Sequence, residues 1–485
     1  MRKLLHTHHL RSCPHALPAT FLTTLAAHGL HISPKFPADD ALFKVGPGRT
    51  QTYEYAIPGS HMAGTHWYHP HVHGGSSIQV GGGALGMLIV DDPPGSLPQA
   101  VAGANERHLV ISDLRPFSLA HVARRSESAC RQAGGSEQAC REPFWANAVD
   151  DGEVLMLVNG RREPQMQLEA MQWYRFRLLF GSAGGEAGAD PFTTPPPSPS
   201  PPPPPDADDD SYSYDDDSDS DSYDESEESD DDSYDDSDNR RRGRRLVHGD
   251  WEMDDLRPSL AGCEVQLLAK DGVYLHQLPR PITVGYMFAG SRADWLVRCP
   301  AGSHALVDES RGVTLVHIDV TPSARPPAAP IAPFAVRRPC YLADLTAASH
   351  VSSTHSFELK SMSMQIATDN RAAEPFPGGD RPAATLRVGT VAEMLVKGTS
   401  HMSHIFHMHV NPFQLQDVVP AQNRAGNYFQ RGDWHDTIRD VMSSHGHHHG
   451  HGHLRTRFQT DTFTGTVPIH CHYLVHEDQA RAAPS

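Results

Sequence analysis

The segment Val467-Pro-Ile-His-Cys-His-Tyr-Leu-Val-His476 places a cysteine between two histidines and adds a third histidine four residues later. A cysteine thiolate combined with imidazoles is a ligand set that suits copper or zinc. Because successive side chains of a β-strand point to opposite faces, His470 and His472 are expected on one face and Cys471 on the other. One short strand is therefore predicted to connect a metal bound by the cysteine with metals bound by its two neighbours.

Three more histidine clusters precede this segment. Ala26-Ala-His-Gly29 carries one histidine before a glycine, and Gly64-Thr-His-Trp-Tyr-His-Pro-His-Val-His-Gly74 carries an H-x-H pair at His69 and His71. His404-Ile-Phe-His-Met-His409 carries an H-x-x-H-x-H triplet. An isolated histidine is more often a surface or hydrogen-bonded core residue, whereas four clusters in this order indicate a metal-binding protein.

With these clusters the chain resembles the multicopper oxidases, the family that contains laccases, ferroxidases and cuprous oxidases. The likeness runs from about Thr24 to Asp478, is interrupted by one insertion, and extends to segments that carry no predicted ligand. Those segments are Val45–Gly48, Gly83–Val90, Asn411–Gln414 and Gly432–Asp436. The resemblance implies an all-β fold of three cupredoxin-like Greek-key β-sandwich domains.

Short runs rich in β-branched and aromatic residues, bounded by glycine and proline, independently favour β-sandwiches over helices. We expect a first domain at 1–125, with a short N-terminal part, and a second domain at 145–325 that contains an insert at 190–245. A third domain at 335–485 would hold the type 1 copper site.

The insert accounts for the acidic balance of the chain. The formal net charge is −18, and the run from Asp206 to Asp238 alone carries 19 acidic residues and no basic ones. Because the rest of the chain is close to neutral, the acidity says nothing about partners of the folded part, and no nucleic-acid partner is expected. A Pro/Asp/Ser-rich segment cannot bury a core, so we expect it to be disordered. The histidine-rich segment Ser443–His453 is interpreted as an expanded surface loop, with weak metal collection as the alternative.

The resemblance assigns the type 1 copper to Cys471, His404 and His476, the thiolate and two imidazoles typical of copper electron-transfer sites. The family has methionine, leucine or phenylalanine as a weak axial ligand five residues after the last histidine. The residue at that position is Arg481, and a guanidinium stays charged and does not coordinate copper.

The resemblance also implies a trinuclear copper cluster that binds and reduces dioxygen, which brings the expected total to about four copper ions per chain. The type 3 ligands would be His28, His69, His71, His409, His470 and His472. His407 would be one of two type 2 ligands. Cys471, His470 and His472 are the predicted catalytic residues, since they would pass electrons from the type 1 copper to the cluster.

Ala26 is the main departure from the family pattern, which reads His-x-His-Gly at this position. The first histidine of that pattern is the second type 2 ligand, and a methyl group cannot bind copper. The occupancy of the type 2 position, and with it complete oxygen reduction, is therefore an open question from sequence. Asp436 has two equal interpretations, a carboxylate that orients a ligand or relays protons, and a loop residue that caps a turn.

The chain has seven cysteines, of which Cys130 and Cys140 bracket a loop and are candidates for a disulfide. The N-terminus lacks the apolar run of a signal peptide, and no segment is long and apolar enough to span a membrane. Family resemblance nevertheless predicts an extracellular or secretory protein.

We therefore expect an oxidase that couples one-electron oxidation of a phenol or a low-valent metal ion to four-electron reduction of dioxygen to water. The alternative is a copper-binding or electron-carrying relative with an incomplete trinuclear centre and no turnover. A third possibility, metal buffering by the histidine-rich loop, explains the four ordered clusters less well.

Overall fold

Runs of apolar and β-branched residues between glycines and prolines form nearly all the regular structure, as this pattern predicts. The computed structural model describes residues 22–72, 75–114, 154–183, 255–347, 350–360, 365–368, 382–398, 404–418, 427–439 and 454–479. The predictions for the insert at 190–245, the histidine-rich loop, Cys130, Cys140 and Arg481 lie outside the described residues.

The N-terminal part forms a three-stranded antiparallel sheet with the order β1-β2-β3. Its strands are β1 (Ala26–His28), β2 (Gly64–His69) and β3 (Gly86–Val90). Two short helices lie between and after these strands, α1 (Ser76–Gly81) and α2 (Gln99–Ala102).

The middle part forms a seven-stranded and a four-stranded sheet. The seven-stranded sheet contains β4 (Asn105–Leu114), β5 (Leu155–Val158), β7 (Tyr174–Phe180), β9 (Glu264–Lys270), β10 (Val273–Tyr274), β11 (Arg280–Pro281) and β12 (Arg292–Arg298). Its order is β10-β9-β12-β7-β4-β5, and β11 pairs with β9. The four-stranded sheet contains β6 (Gln165–Glu169), β8 (Pro258–Ser259), β13 (Gly302–Asp308) and β14 (Val313–Thr321), in the order β6-β14-β13-β8.

The C-terminal part forms a six-stranded and a three-stranded sheet. The strands of the six-stranded sheet are β15 (Ser353–Lys360), β16 (Gln365–Thr368), β17 (Val391–Gly398), β19 (Phe413–Leu415), β20 (Trp434–His435) and β22 (Leu454–Gln459), in the order β16-β15-β17-β22-β19-β20. The three-stranded sheet has the order β21-β18-β23, with β18 (Ile405–Met408), β21 (Thr437–Arg439) and β23 (Ile469–Cys471). A 3-10 turn (Cys340–Leu342) precedes these strands, and helix α3 (Leu474–Gln479) follows them.

Buried apolar side chains join the middle and C-terminal sheets in one hydrophobic cluster. Phe176 and Trp295 of the seven-stranded sheet and Phe406 and Phe413 of the C-terminal sheets belong to it. Burying side chains of this size contributes about 1.5–3 kcal/mol each. The all-β prediction is confirmed. The predicted domain limits remain a prediction, since strand β4, which lies within the predicted first domain, pairs in parallel with β7 of the middle sheet.

The segment Gly432–Asp436 of the C-terminal part contacts the middle sheets through buried polar groups. The Asp433 carboxylate lies 2.6 Å from Lys270 Nζ and 2.8 Å from Arg280 Nη2. His435 Nδ1 lies 2.9 Å from Asp271 Oδ2. A buried charge is costly unless an opposite charge lies beside it. These pairs therefore constrain how the C-terminal part packs against the middle sheets, beside the predicted copper ligands.

Helix α3 is held against the N-terminal part by a carboxylate. Asp478 accepts hydrogen bonds from the backbone N–H groups of Gly75, Ser76 and Ser77, at 3.1, 3.1 and 2.8 Å, where helix α1 begins. None of these N–H groups bonds within the helix. Those of Gly75 and Ser76 also donate to the Val72 carbonyl oxygen, at 2.9 and 3.0 Å, and the carboxylate acts as a capping side chain would. The contact sets the position of α3, which carries His476 and Glu477.

Cys263 and Cys299 form a disulfide that no sequence pattern predicts. They flank Glu264 and Arg298, which face each other across β9 and β12. Sheet neighbours therefore bring together two cysteines separated by 36 residues. Among the described residues, no helix combines the length and the apolar character that crossing a membrane requires.

Candidate copper centre

The predicted type 1 ligands converge on one point. His404 Nδ1 lies 3.3 Å and His476 Nδ1 3.7 Å from Cys471 Sγ, although His404 directly precedes β18, Cys471 ends β23 and His476 lies in α3. Ligand atoms that share a metal at about 2.0–2.3 Å lie about 3–4 Å apart, so this spacing fits one bound ion. Two imidazoles and a thiolate are the donor set of copper electron-transfer sites.

Burial keeps these imidazoles neutral. It lowers the pKa of His404 to about 4, and burial together with the neighbouring His404 lowers the pKa of His476 to about 3. A metal binds the neutral imidazole, so both side chains carry an available lone pair at neutral pH.

Three histidines form a second convergent group on the other face of strand β23. The Nε2 atoms of His71, His409 and His470 lie 3.1–3.2 Å from one another. His470 is placed here by the register of β18 and β23, which sets it opposite His407. His470 Nδ1 lies 3.0 Å from the carbonyl oxygen of Cys471, and since a carbonyl only accepts, the proton is on Nδ1 and the lone pair is on Nε2.

His28, His69 and His472 form a third group, whose ligand atoms all lie within 4.8 Å of one another. His28 Nδ1, His69 Nε2 and His472 Nε2 are buried and have no hydrogen-bond partner in the described part of the chain. Buried polar atoms normally have a partner, so these three nitrogens fit the ligand set of a metal ion. The Pro70 carbonyl, 2.9 Å from His69 Nδ1, fixes the tautomer that leaves His69 Nε2 as the ligand atom.

The type 2 position is different. His407 Nδ1 lies 2.8 Å from the Asp436 carbonyl oxygen, and its buried Nε2 has no partner among the described residues. The position at which the family pattern has the second type 2 histidine is Ala26 of β1, which is fully buried and pairs with His69. Within the described ranges a single imidazole nitrogen faces this position, so the residues do not fit a type 2 copper of the family's kind.

Asp436 does not replace the missing imidazole. It lies with His28 and His407 in a group that has metal-ligand spacing. Its carboxylate, however, binds the Arg292 guanidinium through two hydrogen bonds of 2.7 and 2.5 Å. It also accepts from Thr437 Oγ1 at 2.9 Å. The ring nitrogens nearest to this carboxylate are His28 Nε2 and His407 Nδ1. The opposite nitrogens, His28 Nδ1 and His407 Nε2, have no partner among the described residues. We interpret the group as a hydrogen-bonded support.

A buried carboxyl group lies beside the second histidine group. Glu477 Oε1 is 3.7 Å from His71 Nδ1, and Oε2 is 3.4 Å from His470 Nδ1. Burial raises the pKa of Glu477 well above its usual value, and the nearby Asp478 carboxylate raises it further. Asp39 lies on the other side, with Oδ2 3.8 Å from His409 Nδ1. Burial therefore favours the protonated form of Glu477 next to the cluster.

The structure brings together every sequence-predicted ligand that it describes. They are His28, His69, His71, His404, His407, His409, His470, Cys471, His472 and His476. Sequence reasoning raises an orienting or relay role for Asp436 but does not find Arg292 or Glu477. A signal for Glu477 is present, since it directly follows a predicted ligand, whereas nothing in sequence links Arg292 to the cluster.

Two parts of the chain match family profiles described as multicopper oxidase, residues 350–484 and residues 18–95. Together they include all the predicted ligands. These two segments therefore carry multicopper oxidase sequence, which supports an oxidoreductase. Among curated protein sequences, none matches the chain.

Solved structures agree in fold. A multi-copper oxidase from Pseudomonas thermotolerans is 19% identical, with 96% of this chain and 85% of that protein covered and a TM-score of 0.56. A multicopper oxidase from Campylobacter jejuni, described as a metallo-oxidase, is 17% identical, with coverages of 96% and 80% and a TM-score of 0.58. A laccase-like multi-copper oxidase from Ochrobactrum sp., active toward lignin model compounds, is 17% identical, with coverages of 94% and 83% and a TM-score of 0.57. The cupredoxin-type fold is thereby confirmed.

Proposed function

We propose that this protein oxidises a small reducing substrate one electron at a time at the Cys471 site and reduces dioxygen at the histidine groups. The observation that supports this most directly is the position of Cys471 between His470 and His472. Each of these histidines belongs to a different three-histidine group. One strand therefore gives a covalent path from the type 1 position to both type 3 positions.

Copper, when bound, would supply one-electron carriage at Cys471 and oxygen reduction at the paired histidine groups. The protein supplies neutral ligands, because burial lowers the pKa of His69 to about 3 and also lowers the pKa values of His28 and His472. It also excludes water, since the proposed ligand histidines are buried. Exclusion of water strengthens every electrostatic interaction at the site.

Reduction of dioxygen to water consumes protons as well as electrons. Glu477 is positioned to deliver them, because burial raises its pKa and favours its protonated form, and because its carboxyl oxygens lie 3.7 Å from His71 Nδ1 and 3.4 Å from His470 Nδ1. A carboxylic acid in this position acts as a general acid. Because of Ala26, we assign no step to a type 2 copper.

The substrate is proposed only as a class, a phenol or a low-valent metal ion. His404 and His476 are 2% and 5% exposed, so electrons would reach this site through ligands that have little contact with solvent. We further propose an extracellular or secretory location. The Cys263–Cys299 disulfide supports it, because disulfides persist in oxidising compartments.

A specific observation favours a second candidate function. Since Ala26 leaves His407 as the sole imidazole at the type 2 position among the described residues, the protein would be a copper-binding or electron-carrying relative without oxidase turnover.

Copper stoichiometry and oxygen uptake on the copper-reconstituted full chain distinguish the two functions. Uptake with a phenol, ferrous or cuprous ion, at about three or four coppers per chain, supports the oxidase. A blue type 1 absorption with full type 3 copper and no uptake with any of the three reductants overturns it in favour of the second function.

A further inference from the structure

The middle sheets contribute no proposed copper ligand, yet one of their side chains reaches the cluster. Arg292 is the first residue of β12, and its side chain is fully buried. Its guanidinium donates to both carboxylate oxygens of Asp436, at 2.7 and 2.5 Å. It is further fixed by the carbonyl oxygens of Thr65 and Gly290, at 3.2 and 3.0 Å.

The oriented carboxylate in turn contacts a proposed copper ligand. Asp436 Oδ1 lies 3.2 Å from His28 Nε2, and Thr437 Oγ1 lies 3.0 Å from the same nitrogen. A carboxylate held by a guanidinium only accepts hydrogen bonds, so the proton of His28 is on Nε2. The lone pair is then on Nδ1, the buried atom that has no partner among the described residues.

Glycine at position 29 makes this approach possible. A Cβ atom there would collide with Arg292 Nη2 and would lie 2.9 Å from Asp436 Oδ2. The backbone φ of Gly29 is +92°, a value that residues other than glycine rarely adopt. The Arg292–Asp436 pair therefore packs against Gly29, next to His28, where a larger residue would collide with it.

We propose that Arg292 is a positioning residue for the copper cluster. Through the Asp436 carboxylate it holds the Nε2–H tautomer of His28 and directs His28 Nδ1 to the type 3 ion that His69 and His472 share. The inference rests on the proposed function for the assignment of the type 3 ligands. Residues that orient a metal-binding imidazole affect metal affinity by about 10–100-fold.

Copper binding to Arg292→Gln in the full chain tests this. The apoprotein is titrated with cuprous ion, and the bound copper is then oxidised with an added chemical oxidant. Type 1 copper is read from its blue thiolate absorption, and type 3 copper from the absorption and magnetic coupling of the oxidised pair. We expect type 3 affinity to fall about 10–100-fold while the type 1 signal is kept. Arg292→Lys should recover part of the affinity, because an ammonium keeps the charge but not the two parallel bonds.

Arg280→Gln is the matched control, because it breaks another buried arginine–aspartate contact between the same parts without touching a histidine. Wild-type type 3 affinity in Arg292→Gln overturns the proposal, and so does an equal loss in Arg280→Gln, which would indicate general loosening. If Arg292→Gln does not fold, Asp436→Asn gives the same test, since the amide keeps the shape of the side chain. Reduced type 3 affinity in this variant supports the proposal, and wild-type affinity overturns it. Copper binding does not depend on turnover, so wild-type protein with full copper and no oxygen uptake refutes only the proposed function.

Discussion

The proposed type 3 and type 2 positions lie within one histidine cluster and differ in completeness. The type 3 groups have six imidazoles, which converge as two sets of three. For the type 2 position the family pattern supplies two residues, His407 and residue 26, and residue 26 is a buried alanine. Because the strand that carries Ala26 keeps its register, the loss of one ligand leaves the adjacent groups intact.

This difference teaches that backbone geometry and ligand chemistry are separable. Strand pairing places residue 26 beside His69 whatever side chain it carries. The backbone hydrogen bonds of the ladder do not depend on that side chain, whereas metal affinity depends on it entirely.

Loss of the thiolate should have the largest effect. Cys471→Ser removes the soft ligand of the type 1 ion and the start of the path to both histidine groups. We expect the blue absorption to disappear and substrate oxidation to stop, with type 3 copper retained. Visible spectroscopy and oxygen uptake measure this, and continued oxidation at the wild-type rate would refute the path.

Removing one histidine from each position compares the two directly. His409→Ala should abolish copper at the group of His71 and His470, because three imidazoles converge there within 3.2 Å. His407→Asn should leave the copper content nearly unchanged if the type 2 position is empty. Elemental analysis gives both numbers. A loss of one copper in His407→Asn would show that this position is occupied after all.

Glu477→Gln should slow turnover without reducing copper content. The amide keeps the size of the side chain but cannot release a proton, and general acids typically contribute about 10²–10⁴-fold. We expect oxygen uptake to fall by about 100-fold at neutral pH. Steady-state oxygen consumption at fixed copper loading checks this, with Glu169→Gln on the exposed surface as the control. Unchanged uptake would exclude Glu477 as the proton source.

Ala26→His should make the two positions alike. The new imidazole would face the position served by His407, so we expect about one additional copper and a type 2 signal in electron paramagnetic resonance. Turnover should rise if this copper limits it. Absence of any copper gain in the folded variant would mean that another residue already supplies the ligand or that the position is closed.

The smallest effect on copper is expected from the disulfide, which lies away from both positions. Replacing Cys263 and Cys299 by serine should lower the free energy of unfolding by about 2–5 kcal/mol. Copper content and the blue absorption should not change at temperatures where the variant is folded. Denaturant unfolding and elemental analysis test the pair of expectations, and copper loss in the folded variant would contradict the second.

Sequence reasoning predicts the β-rich fold, and strand alternation separates Cys471 from His470 and His472. Family resemblance predicts the set of histidine ligands, but only the structure divides the type 3 set into two groups of three. Sequence reasoning is insufficient for the support of the cluster. Arg292 and Asp436 are far apart in the chain, and no local pattern predicts that one will bind the other. The disulfide escapes prediction for the same reason, since it follows from the adjacency of β9 and β12.

By itself, the sequence determined which donor atoms exist and which one is missing, since residue identity fixes whether a side chain can bind copper. The tertiary structure decided which nitrogen of each imidazole faces the metal position. That choice depends on the acceptor that holds the opposite nitrogen: a carbonyl for His69, His407 and His470, and a carboxylate for His28. For His28 and His407 the acceptor belongs to a residue distant in sequence, so packing alone brings it into place.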